Sequence, residues 1–560
     1  MGGFAKTHDK KMNRTKNLST LQTDSFDVCI IGAGASGAGC ALDAALRGMK
    51  VALVEKNDFA AETSSRSTKL IHGGVRYLEQ AFKNLDFAQL KQVQHGLEER
   101  HIVLHNAPHL AQPLALITPV FSWFEGMYFT IGLTIYGLFA KNDSLPKAQW
   151  LSKKETLSRI PTLTSRLHSS VMYYDGQLDD ARYCLALAQS ANDAGAAVAN
   201  HLQVVGFSKD TDEKLSVARV QDTLTGEVFS IKSKLFINCT GPFADTIRSL
   251  ANPETTPRLR PSKGVHIVLP AEVLQSKDAM LIPKTKDGRV VFVIPFEGEV
   301  MVGTTDDEYS DLDKEPVLEE QEIEFLLETL QPFWAKTPTR NQVKSGFGGL
   351  RPLIASSGSK ATKKLVRDHE VEHDSVSNLV SLLGGKWTTY RLMAKDTIDF
   401  VAELLQNTAT CQTDKHLLKG AANYRFDDWQ QTQKQFGLAA DIAQHLSQKY
   451  GNRAVEVAQI AQEKPDLAQR LHANYPFIQA EVVFQARHEM ACTPRDVLAR
   501  RTRLELLDWQ ATQQVLPTVA ALLAQELNWT TDELSKQIAD YQAQLDYFVG
   551  QAAGNKMIMA

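Results

Sequence analysis

The chain has 560 residues, of which 43% are hydrophobic and 22% charged, and its formal net charge is −4 at pH 7. This length exceeds what one hydrophobic core usually supports, so we expect several domains in an ordinary globular protein rather than a disordered or fibrous chain. This net charge argues against a global electrostatic attraction for nucleic acid, which normally shows as a strongly basic domain, so we expect no nucleic-acid partner.

The six cysteines stand far apart in the sequence, without a Cys-x-x-Cys pair or the spacings that structural zinc uses. We therefore expect reduced, mostly buried thiols and no bound metal. Residues 1–24 are rich in Lys, Arg, Thr and Asn, and no apolar signal segment follows them. This pattern argues against a secretory signal and predicts a flexible basic arm.

The first ordered unit is predicted to be a strand, a glycine-rich turn, a helix and a second strand. Residues 26–31 are apolar, Gly32-x-Gly34-x-x-Gly37 follows them, and a helix of small residues runs to Arg47 before a strand that ends at Glu55. This is the pattern of a right-handed βαβ unit.

Residues 121–140 are almost entirely apolar and have the minimum length for crossing a bilayer. A single crossing there would place the Gly32 turn and the Lys386 region on opposite sides of the membrane, although we expect both to contact one cofactor. We therefore predict a helix that is either buried or lies in the lipid headgroup layer.

In the middle of the chain the pattern changes to antiparallel β-structure. Residues 289–294 and 300–303 are apolar strands joined across Glu297-Gly298, as in a hairpin. After a polar stretch at residues 407–414, Ala, Gln, Leu and charged residues predominate without strand alternation. This composition predicts a helical C-terminal domain.

The glycine-rich turn predicts a dinucleotide site. Gly32 permits the tight turn, Gly34 lets the backbone approach a pyrophosphate, and Gly37 lets the helix and the strand pack closely. The helix N-terminus then faces the phosphates, and Glu55 is placed to bind a ribose hydroxyl. This motif alone does not distinguish FAD from NAD.

Later segments favour FAD. Residues 63–69 and His72-Gly73-Gly74 offer hydroxyls and flexible backbone after the ribose-binding strand, residues 239–242 follow an apolar strand, and residues 384–389 open a helix whose Lys386 suits an anionic reduced flavin. The sequence has no second glycine motif with matching context, which disfavours a reductase that binds two nucleotides. The predicted cofactor contacts are Gly32, Gly34, Gly37, Glu55, Ser64, Ser65, Ser67, Gly73, Gly74, Gly241, Gly385, Lys386 and Thr388.

The run at residues 63–79 closely resembles the aerobic, FAD-dependent glycerol-3-phosphate dehydrogenases of the D-amino-acid-oxidase-like flavoprotein superfamily. Other segments resemble the same family in order and spacing, from about residue 25 to residue 510. These segments are residues 263–268, 302–306, 349–352, 384–391, 492–496 and 500–503.

We accordingly expect an α/β fold with three parts. An FAD-binding Rossmann-like domain is assembled from residues of about 25–110, 175–260 and 345–405. An interleaved antiparallel β substrate domain, of α+β type, takes about 111–174 and 261–344. A C-terminal helical domain takes residues 415–550.

The resemblance implies oxidation of sn-glycerol 3-phosphate to dihydroxyacetone phosphate, with hydride passing from C2 to flavin N5 and electrons leaving to a membrane quinone. A phosphate dianion needs cations and hydroxyl donors, and our phosphate candidates are Arg76, Tyr77 and Arg367. A base must take the hydroxyl proton and a donor must hold the developing alkoxide. We assign His266 as the base and Arg351 as the alkoxide holder, and these two roles could be exchanged.

Other functions stay open at this point. An oxidase of the same substrate would pass electrons to oxygen and release hydrogen peroxide, but the extra insertion typical of such oxidases is not evident. A non-catalytic flavin-binding sensor would be expected to lack some of Arg76, His266 and Arg351, which are all present. An amino-acid or sarcosine oxidase would need a carboxylate site rather than this many cations.

Quinone reduction requires contact with a bilayer. We therefore expect a cytoplasmic protein bound peripherally to the inner face of the cell membrane, through the basic arm, residues 121–140, or both. The expected partners are glycerol 3-phosphate, a membrane quinone and the membrane surface, and a homodimer is one expected assembly.

Overall fold

The computed structural model describes residues 12–74, 87–139, 145–285, 288–355 and 369–554. Within these ranges the strands are β1 (Ser25–Ile31), β2 (Val51–Val54), β3 (Leu70–Ile71), β4 (Ala111–Val120), β5 (Gln149–Ser152), β6 (Ser169–Leu178), β7 (Ala197–Ala199), β8 (Leu202–Lys209), β9 (Leu215–Asp222), β10 (Val228–Asn238), β11 (Ser262–Pro270), β12 (Ala279–Ile282), β13 (Val291–Phe296), β14 (Glu299–Gly303), β15 (Asp307–Glu308), β16 (Ser345–Arg351), β17 (His369–Asp374) and β18 (Leu379–Gly384).

The helices of the same ranges also follow in chain order. They are α1 (Arg14–Thr23), α2 (Ala35–Leu46), α3 (Phe87–Asn106), α4 (Trp123–Leu138), α5 (Lys153–Arg159), α6 (Asp180–Asp193), α7 (Ala244–Ala251), α8 (Glu320–Leu330), α9 (Tyr390–Leu404), α10 (Asp428–Phe436), α11 (Ala440–Tyr450), α12 (Ala454–Glu463), α13 (Gln479–His488), α14 (Leu504–Leu507), α15 (Trp509–Leu527) and α16 (Thr531–Ala552).

The first sheet has a parallel centre. β1 lies between β2 and β10, which in turn pair in parallel with β7 and β18, while β17, β9 and β8 extend the sheet with antiparallel pairing. The carboxyl ends of parallel strands meet at one edge of a sheet, where α/β proteins bind their ligands. The segments that follow β1, β2, β10 and β18 therefore come together at that edge.

The centre of this sheet is apolar on both faces because helices cover both. In β1, Val28 and Ile30 belong to a core shared with α2, α6 and α9. Cys29 and Ile31 belong to the core on the other face, which includes residues of α1 and α7. This burial on two sides explains the continuous apolar run in the sequence.

The second sheet is mainly antiparallel. Its strands follow the order β15-β11-β14-β13-β12-β4-β6-β3, with β16 on β11 and β5 on β6. β13 and β14 form the predicted hairpin, with Glu297 and Gly298 both at positive φ in the turn. The predicted α/β fold class with an antiparallel β region is confirmed.

Two strands depart from the expected domain boundaries. We placed residues 345–351 in the FAD domain, but β16 pairs with β11 in the second sheet. The short strand β3 pairs with β6 of that sheet as well. The departures arise because strand pairing with distant partners, rather than any local pattern, decides which sheet a segment joins.

The N-terminal segment differs from the expected flexible arm. Helix α1 packs against the first sheet and buries Leu21 completely. Asn17 donates to the Val198 carbonyl at 2.8 Å, and Arg14 pairs with Asp222 at 2.9 Å. The expectation was wrong for these residues because their partners lie far away in the sequence.

Helices α10–α16 form the predicted C-terminal helical domain. Its apolar residues belong to one continuous core with those of the second sheet, for example Val268 and Met301 with Phe477, Leu516 and Leu545. The C-terminal domain is therefore packed against the sheet that carries the candidate catalytic residues.

Helix α4 covers most of the apolar stretch at residues 121–140. It buries Leu133 and Tyr136 on one face, whereas Phe124 is 75% exposed and Ile131 55% exposed on the other. Among the residues that the structure describes, no helix has both the length and the apolar character needed to span a membrane.

Candidate active site

A large cavity opens between the two sheets, at the edge where the parallel strands end. Its volume is about 1820 Å³, and it is lined by Gly32 and Glu55 from the first sheet and by His266 and Arg351 from the second. Pockets for single small ligands usually have about 300–1,000 Å³. This cavity therefore has room for a dinucleotide together with a small substrate.

The glycine-rich turn has no space for larger residues. Gly32 lies at φ +97°, and a Cβ there would stand 2.8 Å from the Cys239 carbonyl oxygen. A Cβ on Gly37 would stand 1.8 Å from the Gly32 oxygen. Gly32 and Gly34 line the cavity, but Gly37, which we predicted among the cofactor contacts, does not; it lies where α2 packs on the turn.

The loop at residues 63–69 forms one wall of the cavity. Ser64 Oγ accepts from the Ala35 N–H at 2.9 Å, and the Ser64 carbonyl accepts from Trp387 Nε1 at 2.9 Å. Ser64 and Ser67 line the cavity. Ser65, which we also predicted as a cofactor contact, is buried behind this wall and donates to the Glu62 carbonyl. Most residues of the loop therefore face the cavity, whereas Ser65 and Lys69 are buried behind it.

Glu55 is held where a ribose would be bound. Its carboxylate accepts from the N–H groups of Ala33 at 2.7 Å and Asn57 at 2.9 Å. Burial raises the pKa of Glu55, while these two hydrogen bonds act in the opposite direction. The other predicted cofactor contacts that line the cavity are Gly73, Gly74, Gly241, Gly385, Lys386 and Thr388.

His266 lies on β11 and faces the cavity. Its ring stacks on Phe347 with centroids 4.9 Å apart, and its Nε2 is 3.1 Å from Thr68 Oγ1. Burial, with Lys69 and Arg351 nearby, holds the pKa of His266 well below its ordinary value. The imidazole is therefore neutral at neutral pH and able to accept a proton.

Arg351, at the end of β16, is oriented by several acceptors. Its Nη2 donates to the Thr305 carbonyl at 2.9 Å and to Thr304 Oγ1 at 3.1 Å, and its Nη1 pairs with Asp306 at 3.2 Å. A Cβ on Gly264 would stand 2.5 Å from Nη2, so the neighbouring strand makes room for the guanidinium. The result is a fixed cation beside His266 in the same cavity.

The three phosphate candidates, Arg76, Tyr77 and Arg367, lie outside the described residues. Their role in binding phosphate stays a prediction.

Thr68 and His72 are among the cavity-lining residues that we did not assign. Burial, with Lys386 and Arg100 adding to it, lowers the pKa of His72 to about 4. Both residues stand inside the run at residues 63–79 that carried the family resemblance. The Thr68 hydroxyl and the His72 imidazole, which precedes Gly73 and Gly74, were the signal in the sequence that could have indicated a role in the site. Their direction toward the cavity depends on distant contacts, such as that of Thr68 with His266.

One group of metal-ligand types occurs among the described residues: atoms of His201, Cys492 and Asp496 lie within 4.8 Å of one another. Asp496 already accepts from His201 Nε2 at 2.9 Å and from Arg500 at 2.6 Å. Burial raises the pKa of the Cys492 thiol to about 12, so it is not a thiolate. The group is therefore an ion-paired cluster in which Arg500 supplies the positive charge, rather than a metal site.

The site has the arrangement of a dinucleotide-dependent oxidoreductase. A glycine turn opens a helix, an acidic residue follows the second strand, and the cavity is shared with an antiparallel sheet. Gly32, where backbone leaves no room for a Cβ, and Gly34, where a Cβ would meet the Ser64 hydroxyl, fit a close approach of pyrophosphate to the backbone. The residues present therefore fit FAD, with Glu55 placed for the ribose and Lys386 for the flavin.

Comparison with known proteins gives the family. Residues 27–395 match the model described as "FAD dependent oxidoreductase", and residues 411–534 match "C-terminal domain of alpha-glycerophosphate oxidase". A probable mitochondrial glycerol-3-phosphate dehydrogenase of Caenorhabditis elegans is 42% identical over 96% of this chain and 75% of that protein. The mitochondrial glycerol-3-phosphate dehydrogenase of Rattus norvegicus is 41% identical over 94% of this chain and 74% of that protein.

A solved structure agrees with these relatives. The glycerol-3-phosphate dehydrogenase from Bacillus halodurans, complexed with FAD, superposes with a TM-score of 0.79 at 29% identity and covers 98% of this chain and 99% of that chain. The chain belongs to the FAD-dependent oxidoreductase family, in the branch that contains the glycerol-3-phosphate dehydrogenases, and its cofactor is FAD.

Proposed function

We propose that this protein oxidises sn-glycerol 3-phosphate to dihydroxyacetone phosphate and passes the electrons to a membrane quinone. The observation that carries the proposal is the placement of His266 and Arg351 on the wall of the cavity that the predicted FAD contacts also line. The names of the relatives with 42% and 41% identity support the same substrate. When bound, FAD supplies the acceptor, flavin N5, for the hydride that leaves C2 of the substrate.

The chain's own residues supply the acid–base chemistry in this proposal. His266, which its lowered pKa keeps unprotonated before the reaction, takes the proton of the C2 hydroxyl. Arg351, held by Thr304, Thr305 and Asp306, stabilises the charge that develops on that oxygen. Arg76, Tyr77 and Arg367 are proposed to bind the phosphate.

The first experiment follows the flavin absorbance. The purified protein is mixed anaerobically with glycerol 3-phosphate, and a quinone analogue or oxygen is then admitted. We expect the flavin to bleach on mixing and to be reoxidised by the quinone analogue. Rapid reoxidation by oxygen with release of peroxide would identify an oxidase instead, and absence of bleaching would contradict the substrate.

Variants test the two catalytic assignments. His266→Gln and Arg351→Met are each expected to slow flavin bleaching by about a hundredfold or more, because each removes a group needed only as the hydroxyl is deprotonated. Arg487→Met is the control, since Arg487 pairs with Glu526 at the surface. If either catalytic variant bleaches at the rate of the control while FAD remains bound, that residue does not have its assigned role.

We further propose that the protein binds peripherally to a membrane through an exposed apolar patch. The patch surrounds the outer face of α4 and consists of Phe121, Trp123, Phe124, Met127, Tyr128, Ile131 and Trp150. Exposed apolar patches of this kind, rich in aromatic residues, suit the lipid headgroup layer. Exposed Lys147, Lys153 and Lys154 are close to Trp150 in sequence and suit anionic lipids.

Tyr128 and the neighbouring Phe129 also line the cavity, so the patch reaches the mouth of the candidate active site. This continuity supports electron transfer to a lipid-dissolved quinone. The compartment that we expect, the inner face of the cell membrane, and the homodimer both stay predictions. Cosedimentation with liposomes tests the membrane binding, and sedimentation velocity in detergent tests the assembly.

A further inference from the structure

The arginine-rich segment of the C-terminal domain has no part in the function described so far. Arg500, Arg501 and Arg503 are all buried, and the last two are among the largest fully buried side chains of the described residues. Buried charges destabilise a fold unless they are paired and hydrogen-bonded. The partners of these arginines therefore indicate what the segment is for.

The partners lie in the stretch between the ribose-binding strand β2 and strand β3. A turn of π-helix at Asp496–Arg501 directs Arg500 and Arg501 toward Asp58, whose Oδ2 accepts from Arg500 Nε at 2.7 Å and from Arg501 Nη1 at 2.6 Å. Arg495 pairs with Glu315, which also pairs with Arg66 at 2.6 Å. The C-terminal domain is thus attached to this stretch at several points.

Arg503 makes the most direct contact with the cavity wall. Its Nη2 donates to the Ser65 carbonyl at 2.7 Å and to Asp180 Oδ1 at 2.9 Å. Lys69 Nζ donates to the same Ser65 carbonyl at 2.7 Å and to Asp180 Oδ2 at 2.7 Å. Two basic side chains from different parts of the chain therefore donate to one backbone carbonyl, and both also contact Asp180.

The other side of this loop faces the cavity. Asp180 also accepts from the N–H of Ser67 at 3.0 Å and from its hydroxyl at 2.7 Å. Thr68, the next residue, is the partner of His266 Nε2. A shift of the Ser65 carbonyl would consequently displace Ser64, Ser67 and Thr68, which line the cavity.

We infer that Arg503 is a positioning residue for the flavin site: it holds the loop at residues 63–69 from behind, through the Ser65 carbonyl and Asp180. The helical C-terminal domain is by this inference a structural part of the FAD site. The part that concerns Thr68 and His266 rests on the proposed function, whereas the part that concerns FAD does not.

The test compares Arg503→Met with Arg503→Lys in the full-length protein. Apoprotein is titrated with FAD, and binding is followed by the loss of flavin fluorescence and by the visible spectrum, without substrate. We expect the FAD dissociation constant to rise about tenfold or more for Arg503→Met, as for loss of a buried charge-assisted hydrogen bond. Arg503→Lys keeps a cation and one donor group, so it should restore part of the affinity.

Arg487→Met is the matched control, because it removes a guanidinium of the same domain that pairs at the surface with Glu526. It should bind FAD like the unmodified protein. The inference is overturned if Arg503→Met lowers the unfolding temperature but binds FAD with unchanged affinity and spectrum. If Arg503→Met does not fold, Arg503→Lys is used instead, and a lowered unfolding temperature with unchanged FAD affinity and spectrum would again overturn the inference.

The measurement separates this inference from the proposed function. FAD affinity is independent of the substrate, so failure of glycerol 3-phosphate to bleach the flavin would leave the FAD result unaffected. In an active enzyme, Arg503→Lys should lower kcat more than it raises KM, because a displaced Thr68 would move its partner His266, which acts on the hydroxyl proton in the transition state.

Discussion

His266 occupies the space above Gly303 on the adjacent strand. A Cβ at residue 303 would stand 2.3 Å from His266 Cδ2 and 2.6 Å from Cγ. These are ring atoms of a side chain that already stacks on Phe347, so the imidazole cannot move aside for a methyl group without losing that contact. Gly303 therefore sets the position of the proposed base.

We expect Gly303→Ala to lower kcat by about a hundredfold, in the range of removing a general base, while FAD stays bound. Stopped-flow bleaching of the flavin measures the rate, and the visible spectrum reports FAD content. The control is Gly206→Ala on β8, where the nearest atom to a new Cβ is Arg219 Nη2 at 3.4 Å. Equal rates in the two variants would contradict the positioning of His266 by Gly303.

At the scale of residues, the sequence predicted those contacts that a local motif defines. Gly32, Gly34 and Glu55 stand at fixed spacing, so their joint position on the cavity wall followed from one βαβ unit, although Gly37 of the same motif does not line the cavity. Ser65 was assigned to the cofactor but is buried behind the cavity wall, where its hydroxyl donates to the Glu62 carbonyl and its carbonyl accepts from Arg503. Arg503 lies far away in the sequence, so no local pattern could show this contact.

Helix α4 separates an exposed apolar face from a buried one. On the buried face, Tyr136 Oη accepts from the Gly73 N–H at 2.7 Å and donates to Asp175 at 3.0 Å. The helix is thus fixed to the loop that carries two predicted cofactor contacts, while its aromatic side chains project outward.

We expect the double variant Phe124→Ser, Ile131→Ser to bind liposomes of anionic phospholipid at least about tenfold more weakly, since two large apolar groups no longer enter the lipid. Cosedimentation with the liposomes measures the bound fraction. Phe426→Ser is the control, because Phe426 is 61% exposed but lies outside the patch. Similar losses in both proteins, or in neither, would exclude the patch as the membrane contact.

The elements themselves were predictable where periodicity or turn chemistry was strong. The β13–β14 hairpin followed from two apolar runs joined across Glu297-Gly298, and the C-terminal helices followed from the absence of strand alternation. Helix α1 was missed because it is short and its stability comes from packing Leu21 on a distant sheet rather than from its own sequence. β16 was assigned to the wrong sheet because its pairing with β11 is a long-range contact.

For the whole molecule, buried histidines link stability to pH. Burial lowers the pKa of His72 to about 4 and that of His109 to about 3, and His266 is also well below its ordinary value. An unfolded chain protonates histidine near pH 6.5, so below that pH it binds more protons than the folded protein. The free energy of unfolding should therefore fall as the pH decreases from about 6.5 toward 4.

Urea unfolding of the FAD-saturated protein at about pH 7.5 and pH 5.5 measures this effect, because most carboxylates of an unfolded chain stay ionised at both values. The protein should be less stable at the lower pH. His109→Gln should lose stability by a smaller amount between the two values than the unmodified protein. If His109→Gln loses as much stability between the two pH values as the unmodified protein, His109 is not held neutral.

The parts of the flavin site are synthesised in an order that delays its completion. β1 and the glycine turn emerge first, but the neighbouring strands of β1 on one side are Val228–Asn238 and then Leu379–Gly384, and Arg503 is made later still. A nascent chain therefore holds apolar strands whose partners do not yet exist, a state prone to aggregation. The flavin site is accordingly complete only after most of the chain has been synthesised, so FAD cannot stabilise the earlier stages of folding.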